Sequence, residues 1–274
     1  MIRIALRIFF IALVFSLLTI VTQVGGLIYV ASIAIGAFLK RKFSGWKRTL
    51  IFPGTFVFLY LVFTAFIIPP IAVRFGRVPL PLTGNLRPVN IMTCVLNRHY
   101  VRPALKALAL KATDDLQKSF PGSKVNYFDA NFPFIDGFRL WPHLSHSDGR
   151  KLDIGLFYHD SDENRLDDSP SPIGYGVFED PRAGEENYPE KCAEKGYWQY
   201  GWMENIVPQG KKKDYVFDPA RLKKFMQLVL KDERLDKILI EPHLKTRMKL
   251  TASKIRYHGC QAVRHDDHIH IQIK

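Results

Sequence analysis

The chain has 274 residues, a formal charge of +13 and three cysteines. Ten of its basic residues fall within residues 1–88 and no Asp or Glu precedes Asp114, so residues 89–274 keep only +3 (+13 less +10), which excludes a nucleic-acid footprint spread over the whole chain. Three cysteines without zinc-finger spacing exclude a disulfide scaffold and a thiolate-bound structural zinc.

From Ile8 to Leu39 the chain reads IFFIALVFSLLTIVTQVGGLIYVASIAIGAFL, 32 positions without a charge. As one helix this stretch spans about 48 Å, against a hydrocarbon core of roughly 30 Å. It is either one helix that protrudes from the bilayer or two shorter segments divided at Gln23-Val24-Gly25-Gly26. Leu50 to Val73 has the length of a normal span, with Pro53 and Pro69-Pro70 near its ends, where helix interruption is tolerated. Between the two lies KRKFSGWKR, five positive charges in nine residues. The positive-inside rule holds such a loop in the cytoplasm and sends the rest of the chain outward. The apolar run is too long for a signal peptide and has no small-x-small site before the charged loop. Residues 1–75 are thus expected to be a retained anchor in the inner (cytoplasmic) membrane, with residues 89–274 on the periplasmic, extracytoplasmic side.

Residues 76–88, rich in Pro and Gly, predict an extended linker, and residues 89–274 have the length of one independent domain. VRPALKALALKATDDLQKSF predicts a helix with Pro103 in its first turn. DPARLKKFMQLVLKDERL predicts another, capped by Asp218 with Pro219 following. KVNYF, KLDIGLFYH, DKILIE and HIHIQIK read as strands. Helices and short strands without regular βαβ alternation, plus a long loop from Asp160 to about Tyr188, predict an α+β domain. In an oxidising compartment the three cysteines allow one disulfide. Cys192 with Cys260 is the expected pair, because both fall in loop-like stretches whereas Cys94 sits in an apolar, strand-like run.

The closing RHDDHIHIQIK concentrates titratable side chains on the last strand. Residues two apart share a face, so His268, His270 and Gln272 point one way and Ile269, Ile271 and Ile273 the other. Two imidazoles about 7 Å apart on one face suit a metal ligand and a neighbouring general base; the plain alternative is a solvated polar face near a chain end. Upstream, WPHLSHSDGRKLDIGLFYH supplies His143, His146 and Asp153, the last within an apolar strand where a carboxylate needs solvent or a cation. His146, Asp153 and a distant histidine would leave a fourth position open, as in catalytic rather than structural zinc sites, and nitrogen and oxygen donors suit Zn²⁺.

H-x(6)-D followed far downstream by H-x-H resembles the lysostaphin and D-Ala-D-Ala metallopeptidase group, the LAS-type zinc peptidases of bacterial cell-wall peptides. The fuller pattern, H-x-x-H-x(6)-D at His143, His146 and Asp153 and H-x-x-H-x-H at His265, His268 and His270, is similar to the penicillin-insensitive murein endopeptidase family. ILIEPHLKTRM also looks like that family's strand and short helix, and the resemblance covers about residues 100–274. It implies an α+β zinc peptidase domain with a small central antiparallel sheet and flanking helices. It further implies His146, Asp153 and His270 as Zn²⁺ ligands, His265 and His268 as the catalytic pair, His143 as a supporting polar residue, and a peptidoglycan peptide as substrate. Which of His265 and His268 takes the proton is left open by the pattern. The chain departs from the family in its anchor and in its cysteine set.

The resulting expectation is a membrane-anchored zinc peptidase acting on murein cross-links or stem peptides. The alternatives are a zinc D,D- or L,D-carboxypeptidase, or a wall-binding protein that retains zinc without turnover; the presence of both His265 and His268 argues against the last. Tyr188, Tyr197, Trp198, Tyr200 and Trp202 either line a substrate groove or form a small core beneath the loop. DSDENRLDDSPS begins like a calcium loop, but Arg165 stands where the turn glycine belongs, so it reads as a solvated acidic loop. His99, His159, His243 and His258 have no spacing partners and read as ordinary histidines.

Overall fold

A computed structural model describes all 274 residues. The charge-free run is two helices, α1 (Ile2–Thr22) and α2 (Gly25–Leu39), and the second apolar stretch is α3 (Lys47–Arg74). The chain reverses at Gln23, whose φ of 66° ends α1, and the Thr22 hydroxyl accepts from Gly25 N at 2.8 Å. Gly26 lets α2 start against α1, since a Cβ there would lie 2.2 Å from Thr19 Oγ1 and 2.5 Å from the Phe15 carbonyl. Of the two sequence alternatives the divided one therefore holds. α1 and α3, with mean hydropathies of 2.6 and 2.4, are long and apolar enough to cross a membrane, while α2, at roughly 22 Å, is shorter than the core. Arg7 and Lys40 lie beside one cavity with Gly36 and Phe52, so the basic residues of the N-terminus and of the loop share one end of the bundle. A π turn at Phe63–Ile67 precedes Pro69, the residue that cannot donate to the helix ladder.

The other end of the bundle packs on the C-terminal domain. Val24, Ile28, Tyr60, Ile68 and Ala72 form a small apolar cluster with Tyr100. Tyr60 Oη donates to the Val95 carbonyl at 2.8 Å, and Phe134 N donates to Gln23 Oε1 at 2.9 Å.

The domain contains the helices α4 (Ile91–Val95), α5 (Pro103–Ser119), α6 (Tyr188–Glu194), α7 (Pro219–Val229) and α8 (Pro242–Arg247). Its main sheet has six strands: β1 (Leu86–Pro88), β2 (Val125–Tyr127), β3 (Lys151–Gly155), β4 (Leu235–Leu239), β5 (Ile255–Arg256) and β6 (His268–Ile273). The spatial order is β5-β4-β6-β3-β2-β1. The centre is antiparallel as expected, but the outer pairs β4/β5 and β1/β2 are parallel, so the sheet is mixed. Asp218 caps α7 by accepting from Arg221 N at 2.9 Å.

β6 is central, and its sidedness organises the domain. Ile269, Ile271 and Ile273 are buried with Leu105 and Leu108 of α5 and with Phe225 and Met226 of α7. Each fully buried isoleucine contributes roughly 1.5–3 kcal/mol, which fixes the strand's register, because a one-residue slip would turn the histidines into this core.

Further expectations change. KLDIGLFYH is not one strand: Lys151–Gly155 joins the main sheet and Tyr158–His159 a separate three-stranded one. Residues 76–88 are extended but are not a free linker: Leu80 and Leu86 are buried in the core, Leu86–Pro88 is the edge strand β1, and the Arg77 side chain is wholly buried. Cys94 lies on α4 rather than on a strand, because Asn90 caps a helical turn there. Cys192 and Cys260 are bonded as expected, but Cys192 sits on α6 rather than in a loop. Cys94 is buried and free.

Candidate metal centre

β6 sets the geometry of the site. Its register with β3 places His270 directly opposite Asp153 and His268 opposite Gly155, all on the face away from the isoleucines. Directly opposed side chains meet at about 5 Å. Gly155 has no Cβ for a reason: one there would lie 2.8 Å from the Phe128 ring, which packs edge-on against Tyr175 behind the cluster. His143 and His146 arrive on the loop between β2 and β3. Buried Arg77 holds that loop through the Phe132 carbonyl, Asp136 and the Ser147 carbonyl.

His143, His146 and Asp153 are buried and offer ligand atoms that all lie within 4.8 Å of one another, a group that can bind a metal ion. A tighter set includes His270. His146 Nε2, His270 Nδ1 and Asp153 Oδ1 form a triangle with edges of 3.0, 2.9 and 3.2 Å. His146 Nδ1–H donates to the Ala130 carbonyl at 2.5 Å, which leaves the Nε2 lone pair aimed into the triangle, the support commonly given to metal-binding imidazoles. His143 faces the other carboxylate oxygen instead. Its Nδ1 is 3.2 Å from Asp153 Oδ2 without hydrogen-bond alignment, and its ring stacks on His268 with centroids 5.9 Å apart.

Asp153 Oδ2 also accepts from Tyr175 Oη at 2.8 Å and lies 3.8 Å from His268 Nε2. His268 Nδ1 is hydrogen-bonded to Asp267, whose second oxygen accepts from Gly176 N at 2.6 Å. His265 sits beside His268, with centroids 4.9 Å apart, and its backbone N donates to Glu241 Oε1 at 3.0 Å. Glu241 also accepts from Tyr200 Oη at 2.6 Å.

Burial disfavours the charged form of every member, and neighbouring charges decide the outcome. Burial raises the Asp153 carboxyl, but His146 and His268 outweigh it and hold the group well below the ordinary carboxylate range. Burial lowers His268, yet Asp153 and Asp267 push it up to about 9. Burial wins at His270, which falls to about 4, and at His265, which falls well below the ordinary histidine value. His146 rises because Asp153 outweighs its burial. Protons on imidazoles thus balance the buried carboxylate in the same place where a divalent cation would, and three N/O donors about 3 Å apart fit such an ion.

A cavity of about 510 Å³ opens onto these groups. Of the five aromatics in the loop, Trp198 and Trp202 line this cavity, whereas Tyr200 is buried against Glu241 and Tyr188 packs on Tyr257 with centroids 4.7 Å apart. Two of the set therefore line the cavity and two pack against other residues of the domain. His258 also lines the cavity, 6.1 Å from His265, so it belongs to the site's wall. His99, His159 and His243 lie elsewhere, His243 Nε2 bonding the Glu179 carbonyl and His159 Nδ1 the Asp160 carbonyl. Asp160 accepts from the Asp162 and Asn164 backbones, a self-capped acidic turn.

Sequence reasoning missed Asp267, Tyr175 and Trp141. Asp267 was visible beside His268 in RHDDH; Tyr175 and Trp141, which lines the cavity, stand at no spacing that marks them. No family model matches the chain, and no curated protein is similar to it.

Proposed function

We propose that the chain is a membrane-anchored, zinc-dependent peptidase of peptidoglycan peptides, with His146, Asp153 and His270 holding the ion. The observation that carries this reading is the 2.9–3.2 Å triangle of their donor atoms on the floor of a tryptophan-lined cavity. A zinc ion held by His146, Asp153 and His270 would supply Lewis acidity toward an amide carbonyl and a water nucleophile near neutral pH. The chain's own residues do the rest. With Nδ1 tied to Asp267, His268 presents Nε2 to the reaction zone and carries the proton there, while His265 presents a neutral ring beside it. Trp198, Trp202 and Trp141 hold the peptide and exclude water. The choice of peptidoglycan rests on the paired histidine motifs. The extracytoplasmic placement rests on the basic end of the bundle lying opposite the domain.

The test is incubation of the detergent-solubilised full chain with isolated peptidoglycan, with and without chelator, followed by mass analysis of released peptides. Chelator-sensitive release of cross-linked or stem-peptide fragments is expected; no release at full zinc occupancy would reject the proposal.

A further inference from the structure

A second cavity, of about 390 Å³, shares Trp141, Pro142 and Trp202 with the metal cavity, and Tyr175 and the Arg98–Asp129 ion pair also line it. Its walls are largely apolar. Met92, Trp141, Ile173 and Ile206 line it and Ile91 adjoins it, and these five side chains are 47–63% exposed. Exposed apolar residues scattered singly, such as Val216 on a small separate sheet, are ordinary; a contiguous cluster marks a contact surface.

Its place in the fold identifies what covers it. Ile91 and Met92 belong to α4, and the last residue of α4, Val95, accepts the hydrogen bond from Tyr60 at the level where the α1–α2 reversal meets α3. The exposed apolar face therefore continues from the membrane bundle's own contact with the domain outward to the rim of the metal cavity. Trp141 and Trp202, rings 6.5 Å apart, stand where the two cavities meet, and tryptophan is the side chain favoured where hydrocarbon gives way to water.

We propose that this face rests on the bilayer surface, so that the metal cavity opens at the membrane and takes peptides presented there. The proposal rests on the reading of α1 and α3 as membrane spans. Such seating extends roughly 5–10 Å into the headgroup and acyl boundary.

The test uses the full chain in phosphatidylcholine vesicles with brominated acyl chains. Leu13→Cys, Ile91→Cys, Ile173→Cys, Ile206→Cys and Val216→Cys are each labelled with an environment-sensitive fluorophore; Cys94 is buried and the other two cysteines are bonded. Strong lipid quenching is expected at position 13, and quenching severalfold above that of position 216 at positions 91, 173 and 206. Absence of quenching at 13 would overturn the anchor and the docking together. Quenching at 13 with 91, 173 and 206 no different from 216, or quenched by aqueous iodide instead, would overturn the docking and leave the anchor standing. Because α4 adjoins the bundle, Ile173→Asp with Ile206→Asp supplies a second arm: it should lower quenching at position 91 severalfold while zinc content stays unchanged. Unchanged quenching there would mean that proximity alone explains the signal, and the docking would fail.

Discussion

The two oxygens of Asp153 face two different environments. On the Oδ1 side lie two imidazole nitrogens at 2.9 and 3.2 Å, with His146 locked by the Ala130 carbonyl. On the Oδ2 side lie a tyrosine hydroxyl at 2.8 Å, the His143 ring and, at 3.8 Å, a histidine tied to a second carboxylate. His268 and His270 share one face of one strand, yet the first is pushed up to about 9 and the second down to about 4. Residue type and spacing are the same for both. Burial and Asp153 act on both; Asp267 backs only His268, while the neighbouring His146 and His268 charges press His270 down. The proposed function reads that difference as proton chemistry on one side and ligand chemistry on the other.

The substitution that should break both sides at once is Asp153→Ala. Zinc content, measured by metal analysis of the purified chain, should fall from about one per chain to nearly none, and turnover should vanish with it. Full occupancy would show that the ligands are elsewhere. Asp267→Asn isolates the Oδ2 side: zinc should remain while turnover of a murein peptide falls by about 10²-fold, since the imidazole loses its orienting partner. Equal loss of zinc and turnover would erase the distinction between the sides. Tyr175→Phe sharpens the comparison, because the hydroxyl fixes which oxygen of Asp153 is left for the ion. Competition with a chelator should reveal roughly 10-fold weaker zinc binding, with the far-ultraviolet circular dichroism unchanged. Trp198→Ala, on the cavity wall, should raise KM a few-fold at constant kcat, the pattern of lost uniform binding; a fall in kcat instead would place Trp198 nearer the reacting atoms.

Alternation in HIHIQIK set the two faces of β6, the isoleucines in the apolar core and the histidines opposite them, but not that the histidine face is buried too. The motif spacing likewise located His143, His146 and Asp153. What stayed hidden depends on distant packing. Pro and Gly in residues 76–88 correctly implied extended chain, but nothing local announces that Arg77 is swallowed whole to hold the loop bearing His146. Tyr175 reaches Asp153 across 22 residues of sequence and belongs to no periodic pattern. The aromatic loop divided between core and cavity because Tyr200 found a buried carboxylate partner in Glu241 and Trp198 did not.

The central claim, that one strand face carries a ligand and a proton carrier two residues apart, is tested most directly by measuring zinc content and murein-peptide turnover on the same preparations of His270→Ala and His268→Ala. His270→Ala should lose both. His268→Ala should keep zinc near one per chain while turnover falls by about 10²-fold or more, with the fold held by the isoleucines on the opposite face. Zinc loss in His268→Ala, or normal turnover with zinc retained, would contradict the division and leave His265 as the proton carrier.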